Sequence, residues 1–207
     1  MKKPPHFMAV SSITQICNLA LAHLGEAPVA SVHEDSTAAR SCLLHYGPTL
    51  DEVLRSHRWN FATQRATLAR LEAAPPFGWT AQFQLPADCL RVLELNGSDG
   101  GDVVSDPYAV EGDRLLSCGE RADMVYVRNV QDVSLFDALF VRALALKLAA
   151  ALSESIRGNT GKTAALLEEY GRLTAPQARR VDANEGRRRK GLLPMNSLAI
   201  RARGWGA

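Results

Sequence analysis

The residues in this chain with most chemistry to offer are five histidines, four cysteines and one run of four consecutive cations. His23 and His45 fall in helical patterns without a second ligand at i+4, and none of His6, His23, His33, His45 and His57 is placed beside a serine or cysteine suited to act as a nucleophile. Cys17, Cys42, Cys89 and Cys118 include no CxxC pair and no Cys/His set with zinc spacing. Three of the four stand among apolar neighbours, so they read as buried free thiols of a reducing compartment. The adjacent carboxylates Asp51-Glu52 and Glu168-Glu169 would point to different sides of a helix, which suits solvated faces better than acid–base work.

Two strings invite a ligand-binding reading. Gly158-Asn159-Thr160-Gly161-Lys162-Thr163 resembles a phosphate-binding loop, but the leading glycine of that motif would fall on Ile156, and a helix rather than a strand leads in. It reads as a helix–helix turn with Thr160 as the cap. His57-Arg58-Trp59-Asn60-Phe61 mixes aromatic and cationic groups, as a base-stacking surface does. The preferred reading has Trp59 and Phe61 anchoring a helix end to a β-rich part, with Arg58 outside.

The remaining cluster is Arg187-Arg188-Arg189-Lys190, suited to phosphates or to an acidic protein surface. Leu192, Leu193, Met195, Leu198, Ile200 and Trp205 follow it, too apolar for a purely solvating tail. Such anchors in a segment without helical or strand period point to ordering on a partner. Net charge is +2 overall, and residues 184–207 carry +5 of it, so the rest carries −3. A mildly acidic body with a basic arm is not the profile of a general nucleic-acid binder.

Several elements must position these groups. Ser11 or Ser12 caps a first helix through Ile13, Ile16, Cys17, Ala20 and Leu24, which Gly25 stops. A second opens at Asp35-Ser36 and runs to His57, with a kink or break expected at Gly47-Pro48. Trp79–Leu85 alternates as a half-buried strand, and Leu90–Leu95, Tyr108–Val110, Arg114–Leu116 and Met124–Val127 read as further short strands. Ser134 with Asp137 suggests a capping box for a third helix over Leu135–Leu152. That helix is apolar nearly all round, so it should be central, and its charges Asp137, Arg142 and Lys147 need partners. A fourth runs from about Thr160 to Val181, with Leu166, Leu167, Tyr170, Leu173, Ala178 and Val181 as its apolar face and a bend at Pro176.

The fold class expected is therefore α+β, mainly α: a four-helix bundle with a β-rich insertion between helices 2 and 3 and an extended C-terminal tail. Residues 1–10 form a flexible N-terminus, 11–62 and 131–183 the helical bundle, 63–130 the insertion and 184–207 the basic tail. With 207 residues, 46% apolar and 22% charged, the chain can support one domain or a domain with a smaller lobe. The three charges of the longest apolar stretch argue against a membrane span. The opening Met1-Lys2-Lys3-Pro4-Pro5, with no apolar run behind it, does not read as a signal peptide.

Several strings, in their order and spacing, resemble the tail tubular protein A family, the head-to-tail adaptors of short-tailed bacteriophages. They are Cys17–Glu26 (CNLALAHLGE), Ser36–Cys42 (STAARSC), Val53–Ala62 (VLRSHRWNFA), Leu85–Val92 (LPADCLRV), and Tyr126-Val127 with Asp132–Phe136. The resemblance spans roughly residues 13–185. It implies a virion structural protein without enzymatic activity or cofactor, assembled in the host cytoplasm. Twelve copies would form a ring between the portal protein and the tail nozzle protein, and genomic DNA would pass through it without specific binding or any membrane. It also implies that the C-terminal segment extends along the portal. Here that role would fall to Arg187, Arg188, Arg189, Lys190, Leu192, Leu193, Ile200, Arg201 and Trp205. The alternative from the residues alone is a DNA-binding module with a helical core and a basic arm.

Overall fold

A computed structural model of the chain describes residues 12–96, 106–158 and 160–185. Its elements are α1 (Ile13–Leu24), α2 (Thr37–Arg55), β1 (Thr63–Thr67), β2 (Ala81–Gln84), β3 (Cys89–Leu95), β4 (Tyr108–Glu111), β5 (Arg114–Ser117), β6 (Asp123–Arg128), α3 (Ala138–Arg157), α4 (Thr160–Glu169) and α5 (Ala175–Glu185). A five-residue π-turn, Tyr170–Thr174, joins α4 to α5 without a break. The chain divides into a helical unit and a strand unit, the latter comprising Arg65–Ala87 and Val92–Tyr126.

The helical unit forms around α3. Between Phe140 and Leu152 every residue but Arg142, Lys147 and Ala151 is buried, so it offers apolar surface in nearly every direction. Each of α1, α2, α4 and α5 packs against it. This corrects the expected four-helix bundle. Half of the chain is helical and a fifth is strand, in two three-stranded antiparallel sheets, and the whole is a mixed α+β fold. The physical reason lies in α3: a bundle needs helices that each present one stripe to a shared axis, whereas here one helix supplies the contact face for all the others.

Local signals explain the helix ends. The Ser12 hydroxyl accepts the Gln15 N–H at 3.2 Å, and Gly25 closes α1 in the left-handed region at φ +69°. The Ser36 hydroxyl caps α2 through the Ala39 N–H. Of the kink or break expected at Gly47-Pro48, the break does not occur: α2 is continuous, and both residues are exposed. Proline there removes only the helix bond to the Leu44 carbonyl, on a solvent-facing side of the helix. The start expected for α3 also moves. Asp132 accepts the Ser134 N–H within a short 3₁₀ turn, and Asp137 is the cap of α3, accepting the Leu139 N–H at 2.8 Å.

In the strand unit, β2, β5 and β4 pair in that order, with Phe83 opposite Leu115 and Glu111 opposite Arg114. Phe83 and its partner Leu115 are buried on one face of this sheet, and Leu116 is buried on the other. Gly112, at φ +61°, makes the tight β4–β5 turn. The other sheet has the order β1-β6-β3, and the Asn96 N–H donates to the Asp123 carbonyl at 2.7 Å where β3 ends and β6 begins. The Asn96 side chain completes this corner, accepting the Asp123 N–H and donating to the Arg121 carbonyl.

Candidate functional site

The string His57-Arg58-Trp59-Asn60-Phe61 follows directly on α2. Arg55, in the last turn of α2, donates to the Leu90 carbonyl, and the Trp59 Nε1–H donates to the Val53 carbonyl at 2.9 Å. These bonds turn the chain back across its own helix and drive the indole into the core, where it is 2% exposed. Its ring stands edge-on to Phe140 at 5.0 Å between centroids, and Phe61 packs on Phe136 and Phe140 at 5.6 and 4.9 Å. These partners belong to α3 and its approach, not to the strands, which corrects the expectation that the pair anchors to a β-rich part. An edge-to-face aromatic cluster of this kind adds roughly 0.5–1.5 kcal/mol per pair to the burial of its area. A base-stacking role for Trp59 is excluded by its burial.

The polar residues of the string turn the other way and grip α5. The Asn60 N–H donates to Asp182 Oδ1 at 2.9 Å, and the Asn60 side-chain amide donates to the Asp182 backbone carbonyl. His57 Nε2 lies 3.2 Å from Asp182 Oδ2. Asp182 is 9% exposed, so its carboxylate exchanges most of its water for these partners. Burial holds the His57 imidazole below its ordinary value; the Asp182 carboxylate pulls it upward, while Arg179 and Arg91 push it down. Neutral His57 then carries its proton on Nε2 and donates it to Asp182.

The three charges of the apolar run Leu135–Leu152 are each accounted for. Asp137 is the cap, and Arg142 is exposed. Lys147, half-buried, meets Glu52 of α2 at 2.8 Å and stands 5.4 Å from the centre of the Tyr170 ring. It thereby links α2, α3 and the start of the π-turn by an ion pair and a cation–π contact.

The cysteines divide by environment. Cys17 and Cys42 are buried, Cys89 is half-buried and Cys118 is exposed, so full burial, expected from the apolar neighbours of three of the four, holds for two. The Cys17 thiol is pushed well above its ordinary value by its contact with Cys42 and by burial, which keeps it protonated and inert. Among the described residues no group of histidines, cysteines and carboxylates is arranged to hold a metal ion. An open groove of about 280 Å³ in the strand unit is lined by Arg65, Ala66, Thr67, Asp123, Met124 and Val125. Its carboxylate, Asp123, is occupied by the Thr67 hydroxyl at 2.6 Å and by Arg121 at 2.8 Å.

The residues singled out in the basic segment, Arg187, Arg188, Arg189, Lys190, Leu192, Leu193, Ile200, Arg201 and Trp205, lie outside the described residues. Glycines and threonines of the 158–163 string form the αL cap of α3, Gly158 at φ +59°, and the first turn of α4. Asp182 was not apparent from the sequence, because Leu173 and Val181 were assigned to the buried face; both are exposed. The spacing Ala175, Ala178, Asp182 is the signal that marks the true face, with the carboxylate continuing a stripe of alanines. No protein-family model matches the chain, and no curated protein matches it either.

Proposed function

We propose that this chain is a structural subunit of a virion: the head-to-tail adaptor of a short-tailed phage, one copy in a ring between portal and tail nozzle. The reading rests on the resemblance of its ordered strings to the tail tubular protein A family. One observation supports it above the others. One of the strings that carry that resemblance, Val53–Ala62, contains the joint His57–Phe61 that ties α2 and α3 to the last helix, directly ahead in sequence of the basic and apolar segment that begins at Gly186. A joint of this kind holds the end of the last helix on the body.

In this reading the work is mechanical. The body packs against copies of itself, the arm attaches the ring to the portal through Arg187–Lys190 and the apolar residues Leu192, Leu193, Ile200 and Trp205, and DNA slides past without being held. The test is to mix the purified protein with portal and examine it by electron microscopy, full-length and truncated after Asn184. Rings seated on the portal are expected for the full chain only. A full-length chain that stays monomeric and ignores the portal overturns the reading.

A further inference from the structure

The last helix is attached to the helical unit in an unusual way. Of its eleven residues only Ala175, Ala178 and Asp182 are buried. Two alanine methyl groups contribute little apolar area, so hydrophobic burial holds α5 weakly. Its specific attachment is polar and sits near its far end: Asp182 on the Asn60 N–H, the Asn60 amide on the Asp182 carbonyl, and His57 on the carboxylate. The near end is the π-turn Tyr170–Thr174, in which the Ala175 N–H reaches back to the Tyr170 carbonyl. Such a widened turn is rare inside a helix and is found mostly as a single turn at functional sites. Pro176, just beyond it, removes another backbone donor. The outward face of this region carries Leu173, 67% exposed, and Val181, 38% exposed.

We propose that α5 is a releasable strap: a helix hinged at the π-turn and latched to the body by the His57–Asn60–Asp182 cluster. Opening the latch detaches α5 from α3 while leaving α1, α2, α3 and α4 packed. His57 and Asn60 act here as positioning residues, through Asp182. The inference does not depend on which partner the arm binds, and it is read on the protein alone.

Hydrogen–deuterium exchange on the full chain tests it, with Asp182→Ala, Asn60→Ala and the conservative Asp182→Asn. In Asp182→Ala the amides of 177–185 should exchange about tenfold faster or more, as expected for the loss of several buried hydrogen bonds. The amides of α1 and of the central part of α3 should keep their protection. Asn60→Ala, which loses only the side-chain bond to the Asp182 carbonyl and keeps the backbone N–H, should raise exchange in the same segment by less, and Asp182→Asn, which can still accept the Asn60 N–H, should restore most of the protection. Unchanged exchange of α5 in Asp182→Ala overturns the proposal. So does an equal rise over all the helices, because the cluster would then serve general stability alone. Loss of the strap with portal capture intact leaves the adaptor reading standing, and the converse result leaves the strap standing.

Discussion

At the scale of single residues, the chain separates groups that look alike in sequence by what each one touches. His45 and His57 both lie on or beside α2, yet only His57 meets a carboxylate. Because burial depresses its affinity for a proton, His57 stabilises the fold in its neutral form. The sign follows from linkage. Above the ordinary histidine value of 6.5 both folded and unfolded chains leave this ring neutral, and its contribution is fully present. As pH falls below 6.5 the unfolded chain takes up a proton that the folded ring resists, and stability is lost down through the folded value. NMR titration of the His57 ring is expected to give a midpoint below 6.5, and lower still in Asp182→Asn, which removes the carboxylate that pulls it up. Chemical denaturation should show a loss of stability from pH 7 to 5.5 that is smaller in His57→Gln. A midpoint at or above 6.5 contradicts this account.

At the scale of elements, α3 is the organising piece, and its sequence says so plainly: an apolar run broken by three charges, each of which meets a cap, solvent or a partner. Since α1, α2, α4 and α5 all rest on it, a cavity in α3 weakens the whole helical unit rather than one contact. Leu144, fully buried, is the test position. Leu144→Ala is expected to cost about 2–5 kcal/mol in urea unfolding monitored by circular dichroism. A cost below about 1 kcal/mol would mean that α3 does not carry the core. The strands were legible in outline from alternation and turn residues, and the short β1 was not. Its five residues, TQRAT, have no apolar period, and pairing with β6 rather than any local preference makes them a strand. The same limit applies to α4 and α5. The π-turn shifts the helical register by part of a turn, so a face read with an unbroken 3.6-residue period places Leu173 and Val181 inside and Asp182 outside.

At the scale of the whole molecule, charge is distributed more sharply than a basic tail on an acidic body. Residues 65–87 and 92–126 hold four arginines and nine carboxylates, a net of −5, while 186–207 hold six cations and no acid. The helical remainder is close to neutral. If the segment recognises a protein surface, replacing Arg187, Arg188, Arg189 and Lys190 with glutamine should weaken portal capture and reduce its dependence on salt, with little change in affinity for duplex DNA. A collapse of strong, salt-dependent DNA binding on the same change would favour a DNA-binding module instead.

By itself the sequence determined what is local or periodic: the caps at Ser12, Ser36 and Gly25, the apolar run of α3, the strand-rich stretch between α2 and α3, and the segregation of charge. These follow from side-chain chemistry within a few residues of one another. Only the tertiary structure decided that α2 continues unbroken through Pro48, that the helices gather on α3 instead of forming a bundle, and that Trp59 and Phe61 point at α3. It alone brought His57 and Asn60 to Asp182, more than 120 residues away in the chain. Such contacts depend on how elements pack. A buried carboxylate shows its importance only when the donors that replace its water are seen beside it.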